Sequence, residues 1–110
     1  MTVQIFLVSD RNVRPERLIV DLLAEAAAAG VDRIQLREKD LPDRELYELA
    51  RATIEACRPH GCRIYINGRP DIALATGADG LHLPANGMPV EQARTLIGGK
   101  LEIGVWSWAG

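Results

Sequence analysis

A repeat within the chain limits its possible folds more than any other feature. Ala29-Gly30-Val31-Asp32-Arg33-Ile34-Gln35-Leu36 is echoed by Thr76-Gly77-Ala78-Asp79-Gly80-Leu81-His82-Leu83. Each copy reads as a helix end, a glycine, a small or β-branched residue, an aspartate and then a strand. Glycine ends helices readily because it enters the left-handed region without a Cβ clash. Repeated units of this kind imply parallel strands joined by right-handed crossovers.

The remaining segments fit the same scheme. Val3 to Val8 is an apolar, β-branched run closed by Ser9-Asp10, as in a buried strand with polar groups at its C-terminal end. Pro15 opens a helical pattern with Leu18, Ile19, Leu22, Leu23 and Ala26 on one face and Gly30 as its stop. After the Ile34 strand, Asp40-Leu41-Pro42-Asp43 supplies capping residues and a helix-starting proline. Leu46, Leu49, Ala50, Thr53, Ile54 and Cys57 form the stripe of a second helix, which Gly61 stops. Arg63 to Asn67 is a strand, Asp71 to Thr76 a short helix, and Leu81 to Leu83 a strand. Pro89 to Ile97 is a helix stopped by Gly98-Gly99, and Leu101 to Val105 is a fifth strand. The resulting βαβαβαβαβ order is α/β. It fits five strands and four helices from the N-terminal part of a TIM-type (β/α)8 barrel, or a small open doubly wound sheet.

Asn67-Gly68 between extended segments is also a hairpin signal. Pro70 argues against a paired strand after it, and Asp71-Ile72-Ala73-Leu74-Ala75 has helical character. With 110 residues, the expectation is a single partial-barrel domain over 1–110.

Net charge is -2, which implies no general attraction to nucleic acid or to acidic membranes. No apolar run approaches the roughly 20 residues of a membrane span, and the N-terminus lacks a secretory leader pattern; a cytoplasmic location is expected. Cys57 and Cys62 have no neighbouring ligand cluster that would make a zinc site. A local disulfide is geometrically open to them, but a reduced pair is the expectation.

The chemistry gathers in Ile34-Gln35-Leu36-Arg37-Glu38-Lys39-Asp40, where apolar and polar residues alternate at the period of a strand. Gln35, Arg37 and Lys39 share a face, giving a row of donors suited to a carboxylate or phosphate. In α/β folds, ligands sit at the C-terminal strand ends, which here carry Asp10, Arg37, Lys39, Asn67 and His82. A small anionic ligand is expected there. Singly, each residue has a plainer reading: Asn67 as a turn residue, His82 as a hydrogen-bonded core histidine. No nucleophilic triad, glycine-rich phosphate loop or metal-spaced carboxylate pair is visible.

Three stretches carry a resemblance: Gln35-Leu36-Arg37-Glu38-Lys39-Asp40, Ile66-Asn67-Gly68-Arg69-Pro70-Asp71, and Gly77-Ala78-Asp79-Gly80-Leu81-His82-Leu83. With Ala93-Arg94 and Ile103-Gly104-Val105, they resemble the thiamine-phosphate synthase/TenI superfamily from about Ile5 to Val105. The resemblance implies a (β/α)8 barrel and a phosphorylated ligand of thiamine biosynthesis. It places Gln35, Arg37, Lys39 and Asn67 on positions that grip a phosphate or diphosphate. The synthase branch uses Mg²⁺ held by acidic positions, and here those are Gly68 and the loop Pro84-Ala85-Asn86-Gly87. Glycine offers no side-chain ligand, so no cofactor is expected. Asn67-Gly68-Arg69 followed by a Leu-Pro loop looks more like the TenI branch, whose known activity is a metal-free thiazole tautomerisation. That branch uses a histidine in an Ile-Gly-x-Ser-x-His pattern, and here Trp108 holds that position, so no catalytic residue is assigned. A tautomerase-like isomerase, a synthase-like transferase, a non-catalytic binding module and a half-barrel specialised for assembly all remain open.

Five parallel strands alone would leave two unpaired edges and an uncovered face. A homo-oligomer, or a complementing chain that completes the barrel, is therefore expected, with Trp106 and Trp108 as interface anchors.

Overall fold

The computed structural model describes residues 4–105. Strands β1 (Phe6–Val8), β2 (Arg33–Leu36), β3 (Arg63–Asn67), β4 (Gly80–His82) and β5 (Glu102–Gly104) alternate with helices α1 (Ile19–Ala28), α2 (Asp43–Cys57), α3 (Pro70–Thr76) and α4 (Val90–Ile97). A single 3₁₀ turn, Arg58–His60, follows α2. Trp106 and Trp108, expected as interface anchors, lie outside the described residues, as does the start of the first predicted strand at Val3.

All neighbouring strands are parallel and pair in chain order, β1-β2-β3-β4-β5. A doubly wound sheet would reverse that order at a switch point. The sequential order selects the barrel alternative, of which this is the five-stranded part. It also excludes the hairpin at Asn67-Gly68, because β3 and β4 run parallel through α3.

Alternation along the strands divides the sheet into two faces. Ile34, Leu36, Ile64, Ile66, Leu81 and Leu83 join Leu23, Ala27, Leu46, Ile54, Ile72 and Ile97 in one buried cluster. All four helices contribute to it, so they cover one side of the sheet. The opposite face carries Arg33, Gln35, Tyr65, Gly80, His82 and Glu102, in register across the strands. Cys57 and Cys62 are free and buried, and burial pushes the Cys62 thiol up to about 11.

Two helix starts differ from the sequence pattern. The helix expected from Pro15 begins at Ile19, and Leu18, placed on its apolar face, is 73% exposed at the N-cap. The preceding segment folds as turns instead. The Asp10 side chain accepts from the Asn12 N–H at 3.0 Å, and Val13 and Arg17 donate back to Asp10 and Arg14 carbonyls. Before α2, neither Asp40 nor Asp43 caps the helix, where Pro42 is the N-cap. Asp40 is held by Arg11, and Asp43 by Arg69.

Candidate functional site

At the rim of C-terminal strand ends, Arg37 and Lys39 follow β2, Asn67 and His82 are the last residues of β3 and β4, and Gln35 sits one residue before the end of β2. Gln35 follows from the alternation that buries Ile34 and Leu36 against the helices: it must point to the other face, where it is 1% exposed. Neither its amide oxygen nor its nitrogen has a hydrogen-bond partner among the described residues. Arg37, two residues further along, is exposed at the rim. His82 pairs in register with Asn67, and its Nδ1 lies 3.1 Å from Asn67 Oδ1. An amide oxygen only accepts, so Nδ1 carries the proton. His82 is thus both a buried, hydrogen-bonded histidine and a member of the rim face.

Two clefts open at this rim. One, of about 440 Å³, is bordered by Ser9, Asp10, Arg37, Glu38, Lys39 and Asp40. The other, of about 200 Å³, runs between the loops after β2 and β3 and is bordered by Lys39, Asn67, Gly68 and Arg69, with Leu36 and Leu46. Lys39 belongs to both, so it links Arg37 on one side to Asn67 on the other. Gln35 and His82 border neither cleft; they lie within β2 and β4, on the sheet face opposite Ile34 and Leu36.

The sequence reading missed the polar framework that holds these loops. Glu38 is 5% exposed, a carboxylate whose burial requires partners. It accepts from Ser9 Oγ at 2.6 Å and from the backbone N–H and Nη1 of Arg11 at 3.2 and 3.1 Å. Ser9 Oγ in turn accepts the Arg37 N–H at 3.0 Å. The same arginine grips Asp40 with both terminal nitrogens, at 2.8 and 2.7 Å. Those bonds hold the Asp40 carboxyl below its usual range and raise the guanidinium above its own. A sequence signal for Glu38 did exist: it continues the buried face of Ile34 and Leu36. Arg69 was also missed as a framework residue. It bridges Asp43 and Asp71 at 2.9 Å each, so it is already neutralised; the Asp71 carboxyl is lowered as a result. Neither Arg37 nor Lys39 takes part in an ion pair among the described residues.

Gly68, at one of the positions through which the resemblance attaches Mg²⁺ to the synthase branch, has a φ of 66° and no side-chain donor. Among the described residues, no three or more His, Cys, Asp or Glu lie together as a metal-ligand group. Among the described residues, no helix is long and apolar enough to cross a membrane.

Comparison with known proteins gives a consistent result. The family model described as thiamine monophosphate synthase matches residues 5–107. The chain is 47% identical over 97 residues to the chloroplastic thiamine biosynthetic bifunctional enzyme TH1 of Arabidopsis thaliana, covering 88% of this chain and 19% of that protein. It is 42% identical over 101 residues to the thiamine-phosphate synthase of Syntrophomonas wolfei, covering 92% and 48%. The solved structure of thiamine phosphate pyrophosphorylase from Pyrococcus furiosus superimposes with a TM-score of 0.81 at 34% identity, over 91% of this chain and 48% of that one. The chain therefore spans about half the length, or less, of these relatives.

Proposed function

The chain belongs to the thiamine monophosphate synthase (TMP-TENI) family, and from that membership we propose that its strand rim binds a small phosphorylated metabolite of thiamine biosynthesis. One observation carries the reading: Arg37 and Lys39 border the same cleft and are paired with no acid among the described residues. Two adjacent cations without counter-ions suit a phosphate or diphosphate, the guanidinium by bidentate hydrogen bonding and the ammonium as a point charge. Asn67 extends the grip along the second cleft, and His82 holds the Asn67 amide in place. Gln35 supplies an unsatisfied donor and acceptor on the sheet face opposite Ile34 and Leu36. A buried polar group left unpaired costs about 1–3 kcal/mol, so a ligand or protein group reaching that face is favoured.

The finer reading is a TenI-like site, in which proton transfer at a thiazole phosphate needs no metal, since Gly68 and the Pro84 loop offer no carboxylate to a divalent cation. Phosphate binding without turnover is the second reading, favoured by Trp108 at the position of the TenI histidine. An indole cannot serve as a base near neutral pH.

Calorimetric titration with pyrophosphate and with thiazole carboxylate phosphate, followed by NMR of the thiazole, tests both readings. Saturable binding is expected, and Arg37→Ala should weaken it by about tenfold or more, on the scale of ~1.5–3 kcal/mol for hydrogen bonds to charged groups. Arg37 is exposed, so the variant should fold normally. Unchanged affinity would remove Arg37 from the site. Conversion of the thiazole would favour the TenI-like reading, and binding without conversion the second.

A further inference from the structure

Arg37-Glu38-Lys39-Asp40 alternates base and acid, so each cation of the grip has a carboxylate as its covalent neighbour. All four border one cleft with Asp10. Pairing within the run would cancel the two cations and leave an anion nothing to bind. Instead both acids turn to Arg11, in the loop after β1. Its Nη1 and Nη2 hold the two Asp40 oxygens, and its Nη1 and backbone N–H hold Glu38 Oε1. A planar guanidinium with five donors can serve two carboxylates at once, which a lysine ammonium cannot do in the same bidentate geometry. The remaining acid, Asp10, is engaged by the Asn12 N–H through Oδ1.

We propose that Arg11 is a positioning residue that keeps the anion grip open by sequestering Glu38 and Asp40 from Arg37 and Lys39. This rests on the reading of Arg37 and Lys39 as an anion site and adds what makes them available. Arg11 also orders the site through Glu38, since Glu38 fixes Ser9 Oγ, which receives the Arg37 N–H. Without Arg11, three acids would face two bases around the cleft.

The test is calorimetric titration of inorganic pyrophosphate into the wild-type chain, Arg11→Ala, and Arg11→Ala/Asp40→Asn, with folding checked by circular dichroism. Arg11→Ala should weaken pyrophosphate binding by about fivefold, the scale of an exposed competing ion pair. Adding Asp40→Asn should recover most of that loss, although it restores no contact that Arg11 made. A merely structural role would not be rescued by removing a carboxylate. If Arg11→Ala fails to fold, the neutral triple variant Arg11→Gln/Glu38→Gln/Asp40→Asn leaves no buried charge unpaired; affinity close to wild type supports sequestration, and a loss of about fivefold overturns it. Wild-type affinity in Arg11→Ala, or failed rescue, also overturns it. A wild-type chain that does not bind pyrophosphate instead removes the anion-site reading itself, and this inference with it.

Discussion

Gly80 and Tyr65 show how closely the sheet face away from the core cluster is fitted. They pair in register across β3 and β4, and the tyrosine ring lies where a side chain at position 80 would stand. A Cβ built on Gly80 would fall on the ring edge and 2.8 Å from the Glu102 carbonyl oxygen. The ring is itself held by the Arg33 guanidinium, 5.6 Å from its centroid, and burial pushes the phenol up to about 12. Gly80→Ala should therefore cost about 1–3 kcal/mol, the usual scale of overpacking, and thermal unfolding should show a clearly lowered midpoint. An unchanged midpoint would mean that the ring is free to move aside. At this scale the face of Gln35 was legible because alternation within β2 sets it, whereas Arg37 and Lys39, expected on the same strand face, lie beyond the end of β2 at Leu36. The engagement of Glu38 was not legible: its partners Ser9 and Arg11 lie 29 and 27 residues away, and one sequence records no pairing at that distance.

The repeat seen in the sequence has a physical meaning at the level of elements. In both copies the residue after the glycine donates back to the helix, Val31 to the Ala26 carbonyl and Ala78 to the Ala73 carbonyl, each at 3.1 Å. Gly30 and Gly77 adopt φ of 112° and 72°, which makes this helix exit possible. The following aspartate then fastens the preceding strand. The Asp32 carboxylate accepts the Ile5 N–H at 2.7 Å and the Asp79 carboxylate the Ile64 N–H at 2.8 Å, while each aspartate's own N–H returns to that residue's carbonyl at 2.9 Å. Asp79→Ala would leave the Ile64 N–H without its acceptor and should cost about 1–3 kcal/mol. Asp79→Asn, which keeps an acceptor oxygen, should cost less. Urea unfolding of both variants checks the order, and equal losses would point to a role other than this bond. Element order and the repeat could be read from the sequence because glycine stops and hydrophobic periods are local. The start of α1 could not, because the turns before it are anchored through Arg11 to groups after β2.

At the scale of the molecule, one side of the sheet is finished and its edges are not. The helices cover one face, while Ile5 and Phe6 beside the β1 edge are about half exposed and Val105 beyond β5 is 59% exposed. Burying each such side chain is worth roughly 1.5–3 kcal/mol, so we expect the chain to associate with itself or with a chain that supplies further strands. Light scattering should then give a mass above the 12.1 kDa of one copy, or a rise on adding the completing partner. A 12.1 kDa species that stays single in both cases would count against this expectation. The order of the strands has a separate consequence for how the fold forms. Each strand pairs only with those next to it along the chain, yet every pairing spans a whole crossover, as Phe6 against Arg33 and Ile34 against Ile64 show. Each added strand therefore loses loop-closure entropy before its contacts repay it, and parallel pairing of this kind is intrinsically slow. Folding can begin at any adjacent strand pair and spread outward in both directions, one crossover at a time.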